Sequence, residues 1–221
     1  MRPIVCMITD RHRLEGGRID ALVARVALVA RAGSHLVQVR ERDLDGGPLV
    51  RLVRSCVDAV RETSTRILVN DRVDVALASA AHGVHLRGDS MAASRVREIV
   101  PPGFLVGRSV HSIDEARRVT AEGGLDYLIW GMVFESRSKP QQESTGLSAL
   151  AAVAAATPLP VLAVGGVAAD NVGRVMQSGA AGFAAIGLFA ETSEAEVRGM
   201  LDKWKSGRSG KVEEVSSEIE K

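Results

Sequence analysis

The chain has 221 residues with 28 basic and 27 acidic side chains, so its formal net charge is +1 at pH 7. This even balance argues against binding to nucleic acid, which would more often require a clustered basic face. Apolar residues make up 46% of the chain and aromatic residues only 3%, a mixture typical of parallel strands packed under helices.

Strand-like and helix-like segments alternate along the chain in eight pairs. The predicted strands are Ile4–Thr9, His35–Arg40, Ile67–Val69, Val84–Leu86, Phe104–Val106, Tyr127–Trp130, Val161–Val164 and Phe183–Ile186. The predicted helices are Ala21–Ala32, Leu49–Val60, Val73–Ala80, Ala92–Val100, Ile113–Glu122, Leu147–Ala156, Val172–Gln177 and Glu194–Trp204. This order indicates an α/β protein with a single (β/α)8 TIM barrel over residues 1–206. A doubly wound open sheet is the rival, but no glycine-rich dinucleotide turn follows the first strand.

The remaining general features concern the termini and the cysteines. Residues 207–221 are charged and contain glycine and serine, which predicts a mobile tail. We expect a cytoplasmic protein, because the first strand follows Met1 without a signal peptide and no apolar run could span a membrane. Cys6 and Cys56 have no metal-ligand spacing and are predicted to be buried thiols. A homo-oligomer is compatible with the sequence.

Polar side chains gather where the predicted strands end, which is the functional face of a parallel barrel. Alternation along the second strand places Gln38, Arg40 and Arg42 on one face. The other polar strand ends carry Asn70-Asp71-Arg72, Ser109 with His111, and Gly165-Gly166. A salt-bridge network at the rim would explain any one of these charges, with Arg40, Glu41, Asp71 and Arg72 as its members. The whole set favours a binding site.

Glycines at the ends of the seventh and eighth strands predict a phosphate site. Loops at these positions of a TIM barrel often bind phosphate through backbone N–H groups. The predicted phosphate contacts are Gly165, Gly166, Ile186 and Gly187. The long connection after the sixth strand contains Ser136-Arg137-Ser138-Lys139, which would hold a phosphate or cover the site, unless it is simply a solvated loop.

Together these motifs resemble the thiamine-phosphate synthase superfamily, and the resemblance runs from about Ile4 to Trp204. It rests on Gln38-Val39-Arg40-Glu41-Arg42, Asn70-Asp71-Arg72, Gly83-Val84-His85-Leu86, Gly107-Arg108-Ser109-Val110-His111-Ser112 and Val164-Gly165-Gly166-Val167. The resemblance implies a barrel that binds small thiazole phosphates. The substrate contacts that it implies are Gln38, Arg40, Arg42, Asn70, Ser109 and Lys139.

One branch of the superfamily contains the synthases, which use magnesium to join a pyrimidine pyrophosphate to a thiazole phosphate. Their metal is held by the aspartate of the Asn-Asp pair and by a second acid shortly after Gly-Val-His-Leu. Here Asp71 fills the first position, but Ser90 stands at the second and Asp89 is displaced by one residue. The synthase loop Pro-Thr-x-Thr-Lys is replaced by residues 135–139, in which only the lysine is identical.

The other branch contains the TenI-type thiazole tautomerases, which typically carry Gly-Arg-Ser-Val-His-Ser and Val-Phe-Glu. Both are present, the second as Val133-Phe134-Glu135, so the resemblance favours an isomerase that moves a proton within a carboxythiazole phosphate. His111 is then the predicted catalytic residue, with no metal or other cofactor. The alternatives are thiamine-phosphate synthase and a non-catalytic regulatory relative, although His111 and the phosphate glycines are all retained.

Overall fold

Runs of valine, isoleucine, leucine and alanine form the strands, because these side chains pack well in a sheet that is covered on both faces. The computed structural model describes residues 3–135, 143–190 and 192–205. Its strands are β1 (Ile4–Ile8), β2 (Leu36–Val39), β3 (Arg66–Asn70), β4 (Gly83–Leu86), β5 (Leu105–Val110), β6 (Tyr127–Gly131), β7 (Val161–Val164) and β8 (Gly182–Ala185). Each strand pairs in parallel with the next, and β8 pairs with β1, which confirms the predicted TIM barrel.

Helices cover the outside of the barrel. They are α1 (Ile19–Arg31), α2 (Gly46–Ala59), α3 (Val73–Ala78), α4 (Ala93–Arg97), α5 (Ile113–Glu122), α6 (Gly146–Ala156), α7 (Val172–Gln177), α8 (Gly187–Ala190) and α9 (Glu194–Lys205). Apolar residues at helical spacing turn one face inward, as with Leu22, Val26 and Val29 of α1, which are fully buried. The short helix α8 was not predicted from the sequence.

The side chains of the strands alternate between two apolar layers. Val37 and Val39 of β2 point outward and belong to the layer between the barrel and its helices. Leu36 of the same strand belongs to the interior of the barrel, together with Cys6 and Leu68. Gln38 follows Leu36 on the interior face, so the apolar filling of the barrel gives way to polar groups toward the carboxyl ends of the strands.

Strand β5 is longer than the sequence pattern predicted. Gly107–Val110 lies beyond the predicted strand Phe104–Val106, and these residues pair in register with Tyr127–Trp130 of β6. Gly107, Arg108 and Ser109 interrupt the apolar run, so the apolar pattern that predicts a strand ends at Val106. A Cβ at Gly107 would lie 2.0 Å from Cζ of Tyr127, and glycine is therefore required where this ring crosses the interior.

Three further predictions concern the C-terminal tail, membrane spans and the two cysteines. The predicted tail, residues 207–221, lies outside the described residues. Within the described residues, no helix is long and apolar enough to cross a membrane. Cys6 and Cys56 are both buried as predicted, and burial raises the pKa of each thiol to about 12.

Candidate functional site

The carboxyl ends of the strands surround a cavity of about 660 Å³, because these ends meet at one face of a parallel barrel. The predicted site residues that line it are Gln38, Arg40, Arg42, Asn70, Ser109, His111, Gly165 and Ile186. Gly166 and Gly187 adjoin two of these residues in the chain without lining the cavity. Lys139 lies outside the described residues, so its predicted contact stays a prediction.

One polar group at the base of the cavity is the pair Gln38 and Asn70. The Gln38 amide donates from Nε2 to Oδ1 of Asn70 at 2.9 Å. Gln38 is 2% exposed, and its Oε1 has no hydrogen-bond partner among the described residues. A buried carbonyl oxygen without a donor costs free energy, so Oε1 is an acceptor suited to an N–H or O–H group of a ligand.

A second polar group is built around His85 of β4. Its Nδ1 lies 3.0 Å from the hydroxyl of Tyr127 on β6, and its Nε2 lies 2.9 Å from Oγ of Ser109 on β5. Burial, with a smaller effect of the Arg108 charge, lowers the pKa of His85 to about 3. The imidazole is therefore neutral at physiological pH and carries one proton.

The direction of this hydrogen-bond chain follows from Tyr127. Burial raises the pKa of the Tyr127 hydroxyl, which keeps its proton, and His85 is the only hydrogen-bond partner of that hydroxyl within the described residues. The tyrosine therefore donates to Nδ1, and His85 donates from Nε2 to Oγ of Ser109. The hydroxyl hydrogen of Ser109 is left for an acceptor in the cavity, which Ser109 lines.

Arginines line the side of the cavity formed by the end of β2. Arg40 is half-buried, and burial together with the nearby charge of Arg42 lowers the pKa of its guanidinium. Neither arginine forms an ion pair among the described residues. Arg42 is exposed, and the carboxylates of Asp10 and Glu41 act on Arg40 only from beyond ion-pair distance. A half-buried guanidinium beside a second one, neither in an ion pair, favours an anionic ligand.

The predicted rim network of salt bridges does not form among its four proposed members. Glu41 pairs with Arg11 at 3.0 Å, since β1 ends beside β2 and brings the Arg11 turn over Glu41. Arg72 pairs instead with Asp74, at 2.6 Å on its own side of the barrel. Arg40 is thereby left to the cavity.

His111 lies on the rim at the start of α5. Its backbone N–H donates to Oε2 of Glu115 at 2.8 Å, and the Glu115 N–H donates to Oγ of Ser112 at 3.0 Å. The pair resembles a capping box, except that the Glu115 carboxylate accepts from the residue before the N-cap Ser112, and it fixes the backbone at His111. The imidazole packs beside Gly88, where an added Cβ would lie 3.6 Å from Cδ2 of His111.

Gly165 and Gly166 have a structural role in the turn after β7. Both have left-handed φ values, 95° and 62°, and both pack against the segment after β6. A Cβ at Gly166 would lie 2.3 Å from the carbonyl oxygen of Glu135, and one at Gly165 would lie 2.4 Å from Cγ of Met132. Close packing and backbone conformation thus require these glycines whether or not they also contact a phosphate.

The magnesium site that the resemblance implies for a synthase does not fit these residues. The Ser90 hydroxyl donates to Oδ1 of Asp71, and Nη1 of Arg87 lies 3.5 Å from Oδ2. Asp89 forms an ion pair with the same guanidinium. In residues 3–135, 143–190 and 192–205, no three His, Cys, Asp or Glu side chains are grouped as metal ligands. Both acids are engaged by protein groups instead.

A closed parallel barrel with an arginine-lined, polar cavity at its carboxyl face defines a TIM-barrel protein with a small-molecule site. The chain belongs to the thiamine monophosphate synthase family, whose model matches residues 5–189.

Individual relatives agree with this assignment. The thiamine-phosphate synthase of Chlorobium luteolum is 32% identical over 94% of this chain and 96% of its own length. That of Methanoculleus marisnigri is 39% identical over 81% of this chain and 84% of its own length. The thiamine phosphate pyrophosphorylase structure from Pyrococcus furiosus has a TM-score of 0.79 and 29% identity, covering 97% of both chains.

The predicted thiazole tautomerase, an isomerase of the TenI branch, is therefore wrong. The relatives at 32% and 39% identity are named as synthases, which are transferases. The two motifs that favoured the tautomerase have structural duties: Gly107 admits the Tyr127 ring, Ser112 caps α5, and Phe134 packs beside Gly166. Such duties serve the barrel whatever reaction it catalyses, so the motifs do not separate the branches.

Sequence reasoning missed the roles of His85, Tyr127 and Arg87 in this cavity. Both ring nitrogens of His85 are bonded to protein groups, and the residue also lines the cavity. One available signal was the polar position of His85 in an apolar strand, since its register partner on β3 is Asn70. Nothing in the local sequence pairs Tyr127 with His85.

Proposed function

We propose that the chain is a thiamine-phosphate synthase, a transferase that joins hydroxymethylpyrimidine pyrophosphate to a thiazole phosphate and releases pyrophosphate. The single observation that carries this function is the pair of unused hydrogen-bonding groups in the cavity. Oε1 of Gln38 is an acceptor without a donor, and the Ser109 hydroxyl is a donor without an acceptor. An aminopyrimidine offers the complement, an amino group that donates and a ring nitrogen that accepts.

The reaction is a displacement at the methylene carbon of the pyrimidine. The C–O bond to pyrophosphate breaks, its electron pair leaves with pyrophosphate, and the carbon forms a bond to the thiazole ring nitrogen. Positive charge beside the leaving group favours this departure. Arg40 and Arg42 supply that charge, since both line the cavity without ion-pair partners in the described residues.

The other predicted site residues receive roles within the same proposal. His111 hydrogen-bonds the leaving pyrophosphate from the rim, because its ring lies beside Gly88, next in the chain to Arg87. Asn70 holds the Gln38 amide in its orientation. The backbone N–H groups of Gly165, Gly166, Ile186 and Gly187 bind the thiazole phosphate, with support from the position of Gly165 and Ile186 in the cavity wall.

We also propose that the protein works in the cytoplasm on small phosphorylated substrates. The two buried free thiols, Cys6 and Cys56, are compatible with a reducing compartment. Membership of the thiamine monophosphate synthase family supports the class of substrate.

The test is to mix the purified full chain with both substrates and to measure thiamine phosphate and pyrophosphate in equal amounts. Gln38→Ala should raise KM for the pyrimidine substrate about 10-fold or more, the scale of one lost hydrogen bond to a ligand, and should leave KM for the thiazole phosphate unchanged. Gln177→Ala, at an exposed position of α7, is the matched control and should have no effect. Absence of pyrophosphate release from the folded wild type would overturn the proposed function.

A further inference from the structure

We propose that the guanidinium of Arg87 occupies the position of a divalent cation, so that the cavity binds pyrophosphate through arginines without metal. The choice of pyrophosphate as ligand rests on the proposed function. The binding mode rests on the contacts of four residues at the ends of β3 and β4: Asp71, Arg87, Asp89 and Ser90.

Arg87 bridges two carboxylates. Its Nη1 lies 3.5 Å from Oδ2 of Asp71, and its Nη2 pairs with Oδ2 of Asp89. A magnesium ion held by carboxylates would need oxygens that face a common centre and are free to coordinate it. Here one guanidinium stands between the two acids and offsets half of their combined charge.

Ser90 engages the remaining oxygen of Asp71. Its hydroxyl donates to Oδ1 and at the same time accepts from the Arg87 backbone N–H at 2.8 Å. Both hydrogen-bonding functions of the hydroxyl are thus satisfied by protein. Asp71 itself has a left-handed φ of 63°, and its N–H donates to the His85 carbonyl at 2.9 Å, which fixes the carboxylate toward the β4 loop.

Hydrogen bonds from Arg108 hold the loop that carries Ser90. This arginine is 6% exposed and donates to the carbonyl oxygens of Met91 at 2.9 Å, Gly88 at 2.7 Å and Ser90 at 3.0 Å. A buried cation tied to three carbonyl groups of one loop leaves that loop little freedom. The contact between Ser90 and Asp71 is therefore a built feature of the barrel.

The charge around this bridge favours an anion. Arg40, Arg42 and Arg87 all line the 660 Å³ cavity, whose acidic lining residues are Asp10, Asp89 and Glu115. The same three arginines, with Arg72, line an adjoining cavity of about 260 Å³ whose acids are Glu41 and Asp71. Asp10 pairs with Arg13, and Asp71 and Asp89 share Arg87, whereas Arg40 and Arg42 have no ion-pair partner in the described residues. Guanidinium groups bind phosphate oxygens with paired N–H donors, so they can replace a metal as the counter-charge of pyrophosphate.

Calorimetry with the full chain and inorganic pyrophosphate tests the proposal. The dissociation constant should agree within about twofold between EDTA and millimolar Mg²⁺, because the binding charge is part of the protein. Titration of Mn²⁺ alone, followed by electron paramagnetic resonance, should show no stoichiometric binding to the protein. A pyrophosphate affinity that requires Mg²⁺, or a stoichiometric Mn²⁺ site, would overturn the proposal.

Two variants sharpen the result. Arg87→Ala should weaken pyrophosphate binding in EDTA by about 10-fold or more. Mg²⁺ should now recover part of the loss, because Asp71 and Asp89 no longer pair with a guanidinium. The double variant Arg87→Gly and Ser90→Asp removes the guanidinium and adds a third carboxylate, so it should bind Mn²⁺ where the wild type does not. Arg95→Ala, which removes an exposed arginine paired with Glu98, is the matched control and should behave as the wild type.

The outcome is separable from that of the proposed function. Metal-independent pyrophosphate binding without formation of thiamine phosphate would support the anion site and contradict the proposed synthase activity. Formation of thiamine phosphate only with magnesium would support the synthase activity and contradict the metal-free anion site. A melting temperature close to that of the wild type is expected for Arg87→Ala, because Arg87 is half-exposed. A cooperative thermal transition checks that the double variant, which also replaces Ser90, is folded.

Discussion

At the scale of single residues, the hydrogen-bond donor that the cavity offers to a ligand depends on Tyr127, which does not itself line the cavity. Tyr127 donates to His85, and this donation leaves the Ser109 hydroxyl hydrogen for a ligand. Tyr127→Phe removes the donor but keeps the ring, so the neutral His85 no longer has a fixed tautomer. We expect KM for the pyrimidine substrate to rise by about 10-fold, the scale of one hydrogen bond, with a smaller change in kcat.

NMR of ¹⁵N-labelled His85 shows which ring nitrogen carries the proton. This would not change if Tyr127 had only a packing role. The proton should sit on Nε2 in the wild type and should be shared between the nitrogens in Tyr127→Phe. Ser109→Ala is the partner variant, and the effects of the two substitutions on KM should not add, because they interrupt one chain. Additive effects, or a wild-type proton on Nδ1, would contradict the assigned direction.

At the scale of elements, the pairing of β5 with β6 depends on the absence of a side chain at one position. A methyl group at Gly107 would lie 2.0 Å from Cζ of Tyr127, and the ring is buried. Gly107→Ala should therefore destabilise the protein by about 1–3 kcal/mol, the usual cost of overpacking a core. Urea unfolding measures this difference.

The control for this effect is Gly173→Ala, at a position of α7 where an added Cβ meets nothing within 4 Å. It should be neutral or slightly stabilising, because alanine favours helix over glycine. Adding Tyr127→Leu to Gly107→Ala should recover stability relative to Tyr127→Leu alone, since the clashing ring is gone. An equal loss of stability in both backgrounds would show that Gly107 is needed for another reason.

At the scale of the whole molecule, one buried histidine gives the stability of the barrel a distinct pH dependence. The pKa of His85 is lowered from 6.5 to about 3, because burial disfavours the charged ring. Between these values the unfolded chain binds a proton that the folded chain does not, so stability is full above pH 6.5 and falls as the pH drops toward 3. At pH 5 the loss from this residue is about 2 kcal/mol.

Urea unfolding at pH 7 and pH 5 tests this expectation. His85→Gln cannot titrate, so its stability should fall less between the two pH values, by about 2 kcal/mol. Gln177→Ala, at an exposed position of α7, is the comparison and should follow the wild type. If His85→Gln and the wild type lose the same free energy, the carboxylates account for the whole pH dependence.

The architecture could be predicted from the sequence, because eight apolar runs alternate with helical patterns. A closed parallel sheet covered by helices buries the apolar faces of such a chain. It also located Gln38, Asn70 and Ser109, since strand ends of a barrel converge at one face. The ion pair of Arg87 with Asp71 could not be predicted, because β3 and β4 bring together residues 16 positions apart through register and loop geometry. Motif resemblance failed on the reaction because those motifs also build the barrel.

The closing seam of the barrel joins the two ends of the described sheet. Ile4 to Met7 of β1 pair with Gly182 to Ala185 of β8, and a Cβ at Gly182 would lie 2.0 Å from the Ile4 carbonyl oxygen. During synthesis on the ribosome, β1 emerges first but has one edge without its partner until residue 185 has left the exit tunnel. That edge is open to pairing with other chains for most of translation, so we expect the nascent chain to be more prone to association than the closed barrel.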